Sequence, residues 1–267
     1  MQSKDRDYTN GPILRGLVSL ALPIILANIL QSAYQLIDTF WLGRLGAFAV
    51  AAVSLSFPVF FLILSVGAGV TIAATIIVSQ FKGADNQRQV DYSSSQSVLV
   101  IFFLSAVLAV IGYYGAGPLM RLVGAGPEIL DESIAYFQVS SIGFVFLFMF
   151  FVFQSLMRGI GNVWLPMYIV LGTVFLNLVL DPLFIFGYGP IPAYGVAGAA
   201  WASVVTQGIS AVIGLALLFG GKMGIHIRLQ DMKWDLPWIQ RLFKIGFPAS
   251  LDPVSYTHLT LPTIYSV

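Results

Sequence analysis

The 267 residues carry 13 Lys and Arg against 12 Asp and Glu, and a net charge of +1 leaves no basic footprint for nucleic acid. Charged residues are only 9% of the chain and apolar ones 58%, with a mean hydropathy of +0.87, which excludes an ordinary soluble domain, where about a quarter of residues are charged. Cysteine is absent, so disulfides and thiolate metal sites are excluded too.

In chain order, a polar N-terminal segment, 1–11, precedes uncharged runs at 16–37, 45–81, 92–120, 133–157, 159–180 and 182–221. Each run reaches the roughly 20 residues needed to cross a bilayer, so six spanning helices are expected over 12–221. The first apolar stretch, from Ile13 to about Ile37, exceeds a signal-peptide core and is expected to stay in the membrane. The run 45–81 reads as one long helix kinked near Pro58 or Gly67, because two spans of about 18 residues with no turn cluster between them would be marginal. The glycines and prolines of GYGPIPAYG, 187–195, predict a tight external hairpin before the last run.

Lys and Arg favour cytoplasmic loops. With six spans, Lys4, Arg6, Arg15, Lys82, Arg88, Arg158, Lys222, Arg228, Lys233, Arg241 and Lys244 fall on the side of the N-terminus, and only Arg44 and Arg121 opposite. Splitting 45–81 into a hairpin inverts every later loop and blurs that bias. The N-terminus is therefore expected inside, in a multi-pass protein of the cell membrane.

Two acids interrupt the apolar runs. Asp38 is the only charge between Gly16 and Gly43, and Asp181 the only one between Gly159 and Gly221. A charge inside a membrane costs at least a few kcal/mol, so such residues usually face a cavity and handle ions, protons or substrate. Asn28, Gln31, Gln35 and Asp38 share one helical face, and Thr173, Asn177 and Asp181 recur every four residues on another helix. Ser203, Thr206, Gln207 and Ser210 form a third stripe. At about 1.5 Å per residue, Asp181 lies about 22 Å past Pro166, Asp38 up to about 33 Å past Gly16, and Ser203 about 12 Å below Gly195, which gives overlapping depths. Gln31, Tyr34, Gln35, Thr173 and Gln207 are the candidate cavity-lining residues. Against these readings stand interhelical hydrogen bonding by Asn28 and Gln31, back-bonding of Thr206 and Ser210 to their own helix, and simple helix-end roles for the two acids. The aromatic lining stays open: Tyr34, Trp41, Phe57 and Trp201 serve equally as packing or interface anchors.

No enzyme is expected. The chain has no phosphate-binding glycine loop, zinc-spaced histidine cluster or nucleophile elbow, and its two histidines, His226 and His258, are too few for a relay. His226 falls in a polar loop, where a solvated side chain is expected.

QSAYQLIDTFWLG at 31–43, QFKGADNQRQ at 80–89, QSLMRGIGNVWLP at 154–166, NLVLDPLFIFGYG at 177–189 and GVAGAAWAS at 195–203 resemble, in the expected order, the multidrug and toxic compound extrusion (MATE) family. The match runs over about residues 12–250. It implies the amino-terminal lobe of a bacterial-type member: an all-α integral membrane protein with six transmembrane helices forming one lobe, plus the start of a second repeat. The whole transporter would have twelve helices in two lobes and export cationic amphiphilic drugs or toxins against sodium or proton entry. The resemblance places the cation- or proton-binding site on Asp38, Asn177 and Asp181, with Ser203 where a threonine is common in some members; Asp38, Asn177 and Asp181 would be the metal ligands if sodium is the coupling ion. No cofactor beyond that ion is implied.

RLFKIGFPASL at 241–251 echoes RGLVSLALPIIL at 15–26, a basic residue followed by an apolar turn and a proline, as if a second parallel repeat begins near 245. The segment 222–244 is then a cytoplasmic linker between lobes, and the carboxy-terminal lobe is expected as the missing partner. From about 252, DPVSYTHLTLPTIYSV resembles translated adapter sequence, so 252–267 are expected to be an artefact rather than a divergent native tail. Alternating access driven by occupancy of the acid site is the implied mechanism, in which two neighbouring buried acids can share a proton. The alternatives are a flippase for lipid-linked saccharides of the same superfamily, whose cavity would be basic, and a non-transporting sensor or assembly subunit, which needs no buried acids. Arg158, near the inner end where it can snorkel, leaves the cavity short of cations and favours export.

Overall fold

The computed structural model describes residues 13–190 and 192–264. The segment 1–11 and the side chains of 252–267 lie outside the described residues. The described chain forms α1 (Ile13–Leu45), α2 (Ala47–Ser54), α3 (Phe57–Gly83), α4 (Gln87–Val123), α5 (Leu130–Gly159), α6 (Trp164–Phe186), α7 (Val196–Phe219), a 3-10 turn (Leu229–Asp231) and α8 (Leu236–Ile264). Six stretches among them are long and apolar enough to cross a membrane: α1 from Gly16, α2 with α3, and each of α4 to α7. Short connections make successive spans antiparallel. The end of the bundle at which α1 begins is called proximal below, and the opposite end distal.

The run 45–81 is one span in two pieces. The ring of Pro58, at the start of α3, would collide with the carbonyl of Ser54, four residues earlier, and α2 ends there. A tight turn bridges the gap, with Ser56 N donating to Val53 O at 2.9 Å and Phe60 N to Ser56 O at 3.0 Å. The break thus sits at Pro58, one of the two expected positions. Gly67 stays helical, and its role is contact, because a β-carbon there would overlap the ring of buried Phe148.

α5 is the centre of the bundle, packed against α3, α4 and α7. Its Phe137, Phe144, Phe148 and Phe153 are fully or almost fully buried, and small residues on the neighbours admit them: Gly67 takes Phe148, and Gly214 takes Phe153. Polar groups cross the same interface, where Thr75 Oγ1 lies 2.8 Å from Ser155 Oγ, and Ser155 donates to Thr71 O. α6 and α7 form the hairpin expected at 187–195. Tyr194 N donates to Phe184 O at 3.0 Å and Gly195 N to Ile185 O at 3.1 Å, and Gly198 lets α7 close onto the backbone of Phe184. α1 packs chiefly against α6 and leaves Leu17, Ile25, Ile29 and Leu36 exposed.

The segment after α7 folds back onto the proximal end of α4. Arg88 donates two hydrogen bonds of 2.8 Å to the buried carboxylate of Asp231. Gln96 Nε2 reaches the carbonyls of Asp231 at 2.6 Å and Lys233 at 2.7 Å, Tyr92 donates to Asp235 at 2.5 Å, and Asp91 accepts from the backbone of His226 at 3.0 Å. His226 itself is exposed, as its loop position suggested. α8 then starts against α3, where Gly246 meets the backbone of Gly69 too closely for a β-carbon on either.

Gly67→Val is expected to cost about 1–3 kcal/mol through overpacking against Phe148. Thermal unfolding of the purified protein in detergent, followed by far-UV circular dichroism, measures the loss. An unchanged midpoint would mean that the α3–α5 contact is looser than described.

Candidate cation site and cavity

A cavity of about 750 Å³ opens between α1, α3, α5 and α7. The polar stripe on α1 forms one wall, with Asn28, Gln31, Tyr34, Gln35 and Asp38 all in the lining. Across it α7 contributes Ser203 and Gln207, and α3 contributes Phe57, Phe60, Thr71 and Thr75. The α5 wall is Tyr136, Ser140, Phe144, Leu147, Phe151, Gln154 and Arg158. Their spacings of three and four mark one helical face. That signal was present in the sequence, but α5 is apolar almost all round, so periodicity alone did not single this stripe out.

At the distal end of the cavity Asp38 is a neighbour of Asp181 and Asn177, so α1 and α6 do bring the three residues together. Asn177 and Asp181 are one turn apart on α6 and are both fully buried. The amide Nδ2 of Asn177 donates to Asp181 Oδ1 at 2.8 Å. Three oxygens at this place have no donor: Asp38 Oδ1, Asn177 Oδ1 and Asp181 Oδ2. Pro182 adds to the surplus, since it lacks the N–H that would otherwise bond the Leu178 carbonyl in the helix. Two carboxyl groups and an amide oxygen, buried and short of donors, form an all-oxygen donor set that suits a hard monovalent cation or a shared proton. Among the described residues no group of three or more His, Cys, Asp or Glu could hold a metal ion.

Ser203 is one step removed from the acids. Tyr34, one turn before Asp38 on α1, donates to Ser203 Oγ at 3.0 Å, and its hydroxyl lies 2.9 Å from that of Thr206. Thr206 and Ser210 also bond back to their own helix, to Ala202 O at 3.1 Å and Thr206 O at 2.8 Å. Gln31, Tyr34, Gln35 and Gln207 line the cavity, but Thr173 does not. Its hydroxyl donates to Val170 O at 2.7 Å, a bond that occupies it within its own helix. Of the four aromatic candidates, Tyr34 and Phe57 lie in the lining. Trp41 instead packs edge-on against Phe40 and Phe186, with the Arg44 guanidinium 5.4 Å from its ring centre, and Trp201 is outside the lining. Arg158 is on the cavity wall and not on the lipid-facing side of α5.

The family model MatE matches residues 23–183. The chain belongs to the MATE family. It is 31% identical over 255 residues to a probable multidrug resistance protein, YpnP, of Bacillus subtilis (strain 168), which covers 95% of this chain and 56% of that protein. It is 32% identical over 255 residues to a protein of Shewanella oneidensis named FAD transporter, covering 93% of this chain and 55% of that one. A solved outward-facing multidrug resistance MATE transporter of the MOP superfamily superposes with a TM-score of 0.87 at 26% identity, over 98% of this chain and 57% of that structure. The chain therefore spans about half the length of the relatives it matches.

Asn177→Ala removes the one donor to Asp181 and is expected to cost about 1–3 kcal/mol of stability. Asp181→Asn is expected to be neutral or stabilising at neutral pH, because it replaces a buried acid with an amide that can donate. Paired thermal melts in detergent test both. A destabilised Asp181→Asn would show that the acid is held by partners rather than short of them.

Proposed function

We propose that this chain is the amino-terminal lobe of a cation- or proton-coupled antiporter that exports cationic amphiphilic drugs or toxins by alternating access across the cell membrane. The observation that carries the reading is the cluster of donor-less oxygens on Asp38, Asn177 and Asp181 at the end of an amphiphilic cavity. A buried acid pair with surplus acceptors is stable only when a proton or cation joins it, and that occupancy couples ion movement to the cavity beside it. The names of the relatives, several of them multidrug resistance or export proteins, support transport of small molecules rather than catalysis. The cavity offers aromatic faces for an apolar body and the Asp38 carboxylate for a positive head, with Ser203 and Gln207 as further polar contacts. The second lobe would supply the opposite wall, the segment from 222 up to the start of α8 at Leu236 the cytoplasmic link to it, shorter than the 222–244 expected from the sequence, and α8 its first helix.

In a full-length protein reconstituted in proteoliposomes, Asp38→Asn and Asp181→Asn are each expected to abolish ion-driven export, with the double variant no worse than either single one. Imposed sodium and proton gradients, applied separately, identify the coupling ion. Near-normal coupled export in both single variants, or losses that multiply, would remove the shared site.

The basic bias of the proximal end supports a cytoplasmic position for it. Because the chain has no cysteine of its own, Gln230→Cys at the proximal end and Tyr188→Cys at the distal end report on the two sides cleanly. An impermeant thiol reagent is expected to label Tyr188→Cys in intact cells and leave Gln230→Cys unlabelled until the cells are opened. The reverse pattern would invert the topology.

A further inference from the structure

Arg158 is the only basic side chain in the cavity lining, and it stands at the end remote from the acids. Tyr136, which lies beside Asp38, and Arg158 are separated along α5 by a rise of about 33 Å, so the acid pair is no partner for the guanidinium. Among the described residues Arg158 makes no ion pair, the one found being Arg88 with Asp231, and its side chain donates no hydrogen bond. Gln154, one turn away on the same wall, likewise has a free amide. The carbonyls ending α5 offset part of the positive charge, as at any helix C-terminus with a basic last turn. Arg158 is exposed, and among the described residues its planar fork of donors is unfilled. A guanidinium carries donors only, in a geometry that matches a carboxylate or phosphate. The wall between the two ends is apolar and aromatic, through Phe144, Leu147 and Phe151.

We propose that the proximal end of the cavity is an anion subsite, in which Arg158 and Gln154 take the phosphate or carboxylate group of an amphiphile whose apolar body lies along Phe151 and Leu147. This rests on the export reading above and widens its substrates from cationic amphiphiles to those with an anionic group. The cavity is polarised, with negative charge at the distal end and positive charge at the proximal end. A phosphate-bearing ligand could be a free amphiphile or a lipid headgroup, and the chemistry at Arg158 is the same for both.

The test uses the full chain in nanodiscs of phosphatidylcholine, with fluorescent probes of equal chain length that end in phosphate or in trimethylammonium. Arg158→Gln is expected to weaken the phosphate probe about tenfold or more and leave the ammonium probe unchanged, while Arg158→Lys keeps part of the phosphate affinity. Asp38→Asn is expected to alter only the ammonium probe, so failure of the acid site and failure of the anion subsite are told apart. Repeating the titration with phosphatidylglycerol in the disc separates the sources. Competition that disappears in Arg158→Gln assigns the subsite to a lipid headgroup, and its absence assigns it to a free amphiphile. Equal phosphate-probe affinity in Arg158→Gln and the parent, or an equal loss of both probes, would overturn the proposal.

Discussion

Carboxyl and amide oxygens left without donors inside a bundle of apolar helices set the terms for the rest of this molecule. An isolated ionised carboxylate moved from water into a protein interior costs several kcal/mol even after relaxation, and Asp181 is fully buried beside Asp38. Asn177 supplies one hydrogen bond, and three oxygens remain without a donor. The two acids come from helices far apart in sequence, so α1 and α6 must pack together at matched heights for the site to exist. The 187–195 hairpin contributes by closing α7 onto α6, which brings Ser203 and Thr206 up to Tyr34.

The two sides of the pair are packed unequally. Asp181 belongs to a helix with buried neighbours on α1 and α7, whereas α1 presents long apolar side chains outward along much of its length. The acid pair therefore joins α1, the least buried of the described spans, to α6. α5 is the opposite case. Its phenylalanines are seated in gaps left by glycines on α3 and α7, and Ser155 hydrogen-bonds across the α3–α5 contact to Thr71 and Thr75.

A second polar assembly anchors the chain after α7. Asp91, Tyr92 and Gln96 on α4 fix the backbone from His226 to Asp235, and the bidentate Arg88–Asp231 pair adds geometric specificity that a single contact lacks. The pair is worth less than a fully buried one, since the Arg88 side chain is 58% exposed and screened by solvent. The backbone bonds carry the docking, and they determine where α8 begins against α3.

Span count, the break at Pro58, the hairpin at 187–195 and the polar face of α1 were legible in the sequence, because each follows from local rules: run length, proline geometry, turn residues and helical period. The two acids announced themselves by being the only charges in long apolar runs. Tertiary structure decided what stands next to what. It kept the whole α6 stripe of Thr173, Asn177 and Asp181 out of the cavity lining, with the Thr173 hydroxyl bonded to Val170 O in its own helix and only the α1 acid, Asp38, on the cavity wall. It placed Ser203 on Tyr34 and not on the acids, and it turned Arg158 onto the cavity wall. In a helix apolar almost all round, hydrophobicity carries little information about direction. Only the fit of phenylalanines into glycine gaps on neighbouring helices chooses which face of α5 looks inward, and that fit depends on residues brought together by folding.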